Sequence, residues 1–226
     1  MSGKLYLVTT PIGNLQDITL RALETLKSVD VIAAEDTRRT RQLLTHFDIH
    51  SKLISYHAFN EHGKTDGILQ MIENGQNIAL VSDAGTPSVA DPGFYLVRAA
   101  KQAGLTVEVI PGVSAVTFSV TASALPVDQF SFWGFVPVKS GRKQQFFEEM
   151  KNEKRTVFMF ESPYRIAKTL ELIKEVLGED TQIAIIREAT KIHEEVITDS
   201  VVNIIAKNSD RVWKGEFVIG VYPNQD

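Results

Sequence analysis

Short apolar runs alternate with amphipathic stretches through the first half of the chain. "LYLV" (5–8) leads into "DITLRALETLKSV" (17–29), and "VIAA" (31–34) into "RRTRQLLTHF" (38–47). The alternation continues with a helix near 61–74, the strand "NIALVS" (77–82), a helix near 93–103, the strand "TVEVI" (106–110) and a helix over 113–124. Brief apolar runs bounded by turn residues fit strands buried on both faces, whereas apolar positions recurring every three or four residues fit helices with one buried stripe. In 17–29 the stripe is Ile18, Leu20, Ala22, Leu23, Leu26 and Val29, with Asp17 the expected N-cap. "NGQN" and Gly104 supply helix stops. This rhythm argues βα units on a parallel sheet, five repeats that end at "LPVDQF".

Pro126 breaks the rhythm, and "FSFWGFVPV" (130–138) after it is aromatic and β-prone. A boundary is therefore expected between a lobe at 1–126 and another at 127–226. The second lobe reads as a charged helix near 141–152, the strand "TVFMFE", a helix over 164–177 stopped by Gly178, and the strands "QIAIIRE", "EEVIT" and "EFVIGVY". It is also α/β, but its irregular spacing predicts a mixed sheet.

A length of 226 residues with 43% hydrophobic and 23% charged content is enough for two cores. With no cysteine there is no disulfide and no thiolate zinc site, which fits a reducing compartment. The first apolar stretch breaks at Thr9, Thr10 and Pro11, and no run approaches a membrane span, so a cytoplasmic protein without a membrane partner is expected. The balance of 24 basic against 28 acidic residues disfavours wholesale nucleic-acid binding and gives no reason to expect DNA as a partner. Any grip on phosphates must come from local patches, and two stand out: Arg38, Arg39 and Arg41, and Lys139, Arg142 and Lys143.

In open α/β sheets, ligands sit beyond the carboxyl ends of strands, where helix-start amides are unpaired. Three loops of the first lobe have unusual composition there: "TTPIGN", "SDAGTPSVADPG" and "PGVSA". None contains lysine, and neither a P-loop nor a G-x-G-x-x-G fingerprint occurs, which disfavours triphosphate and nicotinamide chemistry. Asp83 and Asp91 are eight residues apart, with Pro87 between them and Pro92 directly after, and the sequence leaves open whether they converge; a metal site is not expected. S-adenosyl-L-methionine, with a carboxylate tail and a cationic sulfonium, suits small residues, free amides and the absence of lysine.

These loops, with "EDTRRT" (35–40), "HAFNE" (57–61), "GFVPVKSGR" (134–142), "SPYR" (162–165), "REATK" (187–191) and "KGEFVI" (214–219), resemble the tetrapyrrole methylase superfamily. Within it the chain is similar to the ribosomal RNA small subunit methyltransferase I family over nearly its whole length. The resemblance implies a two-lobed class III methyltransferase fold, usually homodimeric, with a parallel-sheet N-terminal lobe and a mixed-sheet C-terminal lobe that completes the cofactor cleft. It implies methyl transfer from S-adenosyl-L-methionine to the ribose 2′-hydroxyl of a cytidine in the decoding region of 16S ribosomal RNA. Carried over by motif, the cofactor is expected at Pro11, Asp83, Gly85, Thr86, Val89, Ser114 and Ala115, and at Phe160, Ala189 and Gly215 in the second lobe. The wider superfamily tends to show Gly-Asp-Pro where this chain has Gly85-Thr86-Pro87.

Removing the hydroxyl proton needs an acceptor, for which Glu35, Asp36, His57 and Glu61 are the candidates. For Asp36 the competing role is a helix cap, and for His57 a satisfied polar residue at a cleft edge. Two other functions fit the same residues: methylation of a small tetrapyrrole-like acceptor, and non-catalytic binding of cofactor or RNA.

Overall fold

Each strand of the first half buries alternate residues on opposite faces, as its apolar run requires. The structure, a computed structural model, describes residues 2–223. In chain order the elements are β1 (Lys4–Val8), α1 (Leu20–Ser28), β2 (Val31–Ala34), α2 (Thr37–His46), β3 (Lys52–Ser55), α3 (Glu61–Glu73), β4 (Ile78–Val81), α4 (Phe94–Gln102) and β5 (Thr106–Ile110). All pairings among these strands are parallel, in the order β3-β2-β4-β1-β5. Along β2, Val31 and Ala33 join Leu5, Ile68, Ile72 and Leu96 on one face, while Ile32 and Ala34 join Ala22, Leu26 and Leu44 on the other. The period-two alternation thus feeds two cores, one under α3 and α4, the other under α1 and α2.

Three local expectations need correction. The cap of α1 is Thr19, whose Oγ1 accepts the Ala22 N–H at 3.1 Å, because Leu15–Asp17 forms its own 3-10 turn and Ile18 is extended. Strand β3 was implied by the five-fold rhythm but not located; it is a half-exposed edge of four residues. Helix α5 runs only from Ala115 to Ala122.

The chain divides into two units, one ending at Ser114 and one starting at Ala115. Packing, rather than Pro126, sets that division: α5 lies on the second unit, where Ala115 and Phe118 cover Phe158, Ala184 and Val218. That unit continues with β6 (Phe130–Phe135), α6 (Ser140–Met150), β7 (Thr156–Glu161), α7 (Ile166–Leu177), β8 (Gln182–Arg187), β9 (Glu195–Ser200), α8 (Val201–Lys207) and β10 (Phe217–Tyr222). Its sheet order is β6-β7-β10-β8-β9, parallel between β6 and β7 and antiparallel elsewhere. The predicted mixed sheet is therefore present. Its larger core, including Met159, Ile173, Ile185 and Ile219, lies beneath α6, α7 and α8. Among the described residues, no helix is long and apolar enough to cross a membrane.

Candidate active site

Strand order determines where a ligand can enter the first unit. From β1 the chain crosses to α1 on one face of the sheet, and from neighbouring β4 it crosses to α4 on the other, so the two following loops part at a topological switch point. They stay joined at one place. Thr10 and Gly85 exchange both backbone bonds, 2.9 Å from the Thr10 N–H to the Gly85 oxygen and 3.0 Å in return. Beside this bridge the hydroxyls of Thr9 and Thr86 meet at 3.0 Å, and Thr10 Oγ1 donates to the Ser82 oxygen at 3.3 Å. Gly85 adopts φ +79°, and a Cβ there would meet only the Ile12 side chain, at 3.5 Å, leaving the backbone open above it. Pro11 and Thr86 flank the same bridge, with Val89 exposed farther along the loop.

Carboxylates gather at the adjoining strand ends. Asp83 Oδ1 accepts the Asp36 N–H at 2.9 Å, and the Asp83 N–H faces Glu35 Oε2 at 3.5 Å, tying the ends of β2 and β4 together. Burial, then repulsion from Asp83, raises the Glu35 carboxyl above its ordinary range. Asp91, nearly a full loop later, converges on the same place: burial, then Glu35 and Asp83, push its carboxyl up to about 6. Arg39 Nη1 supplies the opposing charge, 3.5 Å from Asp83 Oδ2. Among the described residues, no group of three or more His, Asp or Glu side chains is arranged to hold a metal ion.

Asp36 faces the other way. Its Oδ1 caps α2 through the Arg38 N–H at 2.8 Å, and its Oδ2 accepts from Arg38 Nη2 at 2.7 Å. The Arg38 guanidinium holds this carboxyl well below the usual carboxylate range, which leaves a helix cap and a poor proton acceptor.

Beyond β3, His57 stands close enough to Glu35 to favour its charged form. The His57 N–H donates to Asn60 Oδ1 at 2.9 Å, and Asn60 Nδ2 meets His57 Nε2 at 3.0 Å. His57 Nδ1 is buried without a partner, as is Oε2 of Glu61, whose residue is only 9% exposed. Asn60 was absent from the sequence-derived candidates. Its signal was available in the three-residue spacing from His57, which suits an Asx-type turn.

The second-unit candidates have partners within that unit. The Phe160 ring packs edge-on against Phe132 and Phe135, with centroids 4.9 and 5.1 Å apart, and Ala189 joins the core that contains Phe158. The space beside Gly215 is occupied by Glu188, whose Oε1 accepts the Glu216 N–H at 2.9 Å and whose Cδ would lie 2.6 Å from an added Cβ. Lys191 then bridges Glu188 and Glu216, at 2.9 Å to each. Glu161 is fully buried and accepts from the Ser162 N–H, Thr169 Oγ1 and Arg165 Nη2, each at 2.6 Å. Lys143 turns toward this cluster, 3.3 Å from Thr169 Oγ1, and burial lowers its pKa. Lys139 and Arg142 remain exposed at the start of α6, and Arg38 and Arg41 line a shallow depression along α2 with Gln42 and His46.

Comparison with known proteins connects this geometry to a family. Residues 4–204 match the family described as Tetrapyrrole (Corrin/Porphyrin) Methylases. The chain is 46% identical over 217 residues to the Ribosomal RNA small subunit methyltransferase I of Synechocystis, covering 96% of this chain and 78% of that relative. It is 45% identical over 219 residues to the protein of the same name from Escherichia coli O157:H7, covering 96% and 77%. The fold resembles a Thermus thermophilus uroporphyrin-III C-methyltransferase crystallised with S-adenosylhomocysteine, with a TM-score of 0.67 at 17% identity over 96% of this chain and 97% of the other. With its parallel and mixed sheets, its switch-point loops and relatives of this similarity, the chain belongs to the ribosomal RNA small subunit methyltransferase I family of the tetrapyrrole methylases.

Proposed function

We propose that the protein transfers a methyl group from S-adenosyl-L-methionine to the ribose 2′-hydroxyl of a cytidine in the decoding region of 16S ribosomal RNA. The observation that carries this reading is the open backbone over the Thr10–Gly85 bridge, set beside a carboxylate cluster and built from loops without lysine. Such a surface fits the cofactor: amides can hold its carboxylate and adenine, while Glu35, Asp83 and Asp91 favour a cationic sulfur. Pro11, Asp83, Gly85, Thr86, Val89 and Ser114 are the first-unit residues proposed to hold it. The bound cofactor supplies an electrophilic methyl group.

The protein's own contribution is positioning and proton removal. In-line transfer needs acceptor oxygen, methyl and sulfur aligned without water between them, and rigid loops meet that need. Glu35 is the proton acceptor we favour: it is half-buried, its basicity is raised by Asp83, and its side chain is not spent on a helix cap. Glu61, with its buried and unpartnered Oε2, is the second candidate. Arg38, Arg41, Lys139 and Arg142 supply phosphate contacts, while the 99% exposed Phe59 ring, 6.2 Å from the His57 ring, offers a stacking surface for an unpaired base.

Incubation with labelled cofactor and immature small ribosomal subunits tests the proposal. Label recovered on a cytidine 2′-oxygen is expected. Label on a base or on a tetrapyrrole, or tight binding without transfer, overturns it.

A further inference from the structure

The hydrogen bonds around Asn60 determine more than its own orientation. The backbone N–H of His57 can only donate, so the Asn60 atom 2.9 Å away must be the carbonyl oxygen, and the amide cannot be flipped. Its Nδ2 therefore faces both Ser55 Oγ, at 3.3 Å, and His57 Nε2, at 3.0 Å. Ser55 Oγ also accepts from Lys64 Nζ at 3.0 Å, consistent with a hydroxyl oxygen used as an acceptor on this side. An amide nitrogen has no lone pair to offer, so His57 Nε2 must accept. The neutral ring then carries its proton on Nδ1, the buried atom without a partner.

We infer that Asn60 is a positioning residue that locks His57 in the Nδ1–H form, with Nε2 engaged and Nδ1 protonated and buried, so that the ring is held beside Glu35 and does not accept the hydroxyl proton. The inference deepens the proposed function and rests on it for the identity of the substrate. The groups placed beside the ring are Glu35 at the end of β2, the Phe59 ring and Asn60, with Glu61 next in the chain at the start of α3. Only the carboxylates among them can take a proton. No proton leaves His57 during the reaction: its ring stays fixed beside Glu35 while a carboxylate receives the proton from the hydroxyl.

The test uses long-range proton–nitrogen correlation spectra of the full protein with labelled histidines. His57 is identified among the five histidines by the signal lost in His57→Gln. At pH 8 the free protein should show His57 with a protonated Nδ1 and a pyridine-type Nε2. Asn60→Asp, nearly isosteric, replaces the donor with an acceptor and should move the proton to Nε2. In the same variant kcat should fall by about tenfold or more, with the cofactor Kd within about twofold of the parent. A purely structural Asn60 would alter thermal stability without moving the ring proton. A protonated Nε2 in the parent overturns the inference, as does an Asn60→Asp variant with the proton moved and kcat unchanged. The spectra need neither RNA nor turnover, so failure of the proposed reaction is distinguishable from failure of this assignment; if Asn60→Asp does not fold, the parent spectrum decides.

Discussion

Asp91→Asn should make the protein more stable at neutral pH and leave it unchanged in acid. The folded protein holds the Asp91 carboxyl at about 6, against 3.8 ordinarily, because of burial and then the negative Glu35 and Asp83. A raised carboxylate binds its proton more tightly in the folded chain than in the unfolded one. The penalty is therefore absent below about pH 3.8, grows between there and about 6, and is complete above 6. The full displacement corresponds to roughly 3 kcal/mol at about 1.4 kcal/mol per tenfold in binding. Water reaches part of this site and screens it, which reduces the expected effect to about 1–1.5 kcal/mol. Asparagine keeps an oxygen for Ser82 and removes the charge. Urea unfolding of parent and variant should show that gain at pH 7.5 and less than about 0.3 kcal/mol at pH 3, and for a chain of this size the melting temperature should rise by about 3 °C at neutral pH. Glu35 loses a repulsive neighbour in the same variant, so the pair titrates as a unit and Asp91→Asn/Glu35→Gln should gain less than the sum of the single changes. A variant less stable than the parent at pH 7.5, or a gain equal at both pH values, would refute the argument.

Other perturbations separate the remaining parts. Gly93→Ala places a Cβ 2.5 Å from Ser88 Oγ at φ +142°, and should cost about 2 kcal/mol or more by urea midpoint; a loss below about 0.5 kcal/mol would show that the loop accommodates a side chain. Arg165→Met leaves the fully buried Glu161 without its cation and should destabilise by about 3 kcal/mol, much of it recovered in Arg165→Met/Glu161→Gln; no recovery would mean that Glu161 is not the source of the cost. Thr86→Trp fills the space beside Gly85 and should abolish cofactor binding in calorimetry, an outcome that unchanged affinity would contradict. Arg38→Ala/Arg41→Ala should lower RNA affinity and reduce the slope of log K against log salt by about 1–2, with cofactor affinity unchanged. Equal slopes would remove α2 from the RNA surface.

What the sequence revealed follows from which signals are local. The parallel sheet was legible because βα alternation repeats, and the switch-point loops because prolines and glycines mark strand ends. Strand β3 was hard to place because "KLIS" is four residues on an edge, half-exposed, without the continuous burial that marks β2 and β4. Helix α8 was missed for a related reason: seven residues follow β9 directly, without a Gly or Pro to separate them. The long-range facts were harder. Asp91 lies in the open sequence as one acidic loop residue, and only folding brings it beside Glu35 and Asp83. Lys143 reads as part of a basic run with Lys139 and Arg142, yet the helical turn carries it inward to Thr169 while Arg142 stays outside. Asp36 was legible in both of its roles, and the hydrogen bonds to Arg38 decide for the cap.

The loop after β4 holds Ser88 at φ 72° and Ala90 at φ 62°, two residues that would relax elsewhere if the chain allowed it. Its bends are kept by the Ser88 N–H on the Pro92 oxygen, the Val89 N–H on the Thr86 oxygen, and the bridge to Thr10. Strain held in place by the loop's own backbone is spent during folding, before any ligand arrives. For the cofactor proposed to bind this loop, little conformational freedom then remains to be lost on encounter, so the speed of capture should be governed by diffusion and charge, and the residence time by the contacts themselves.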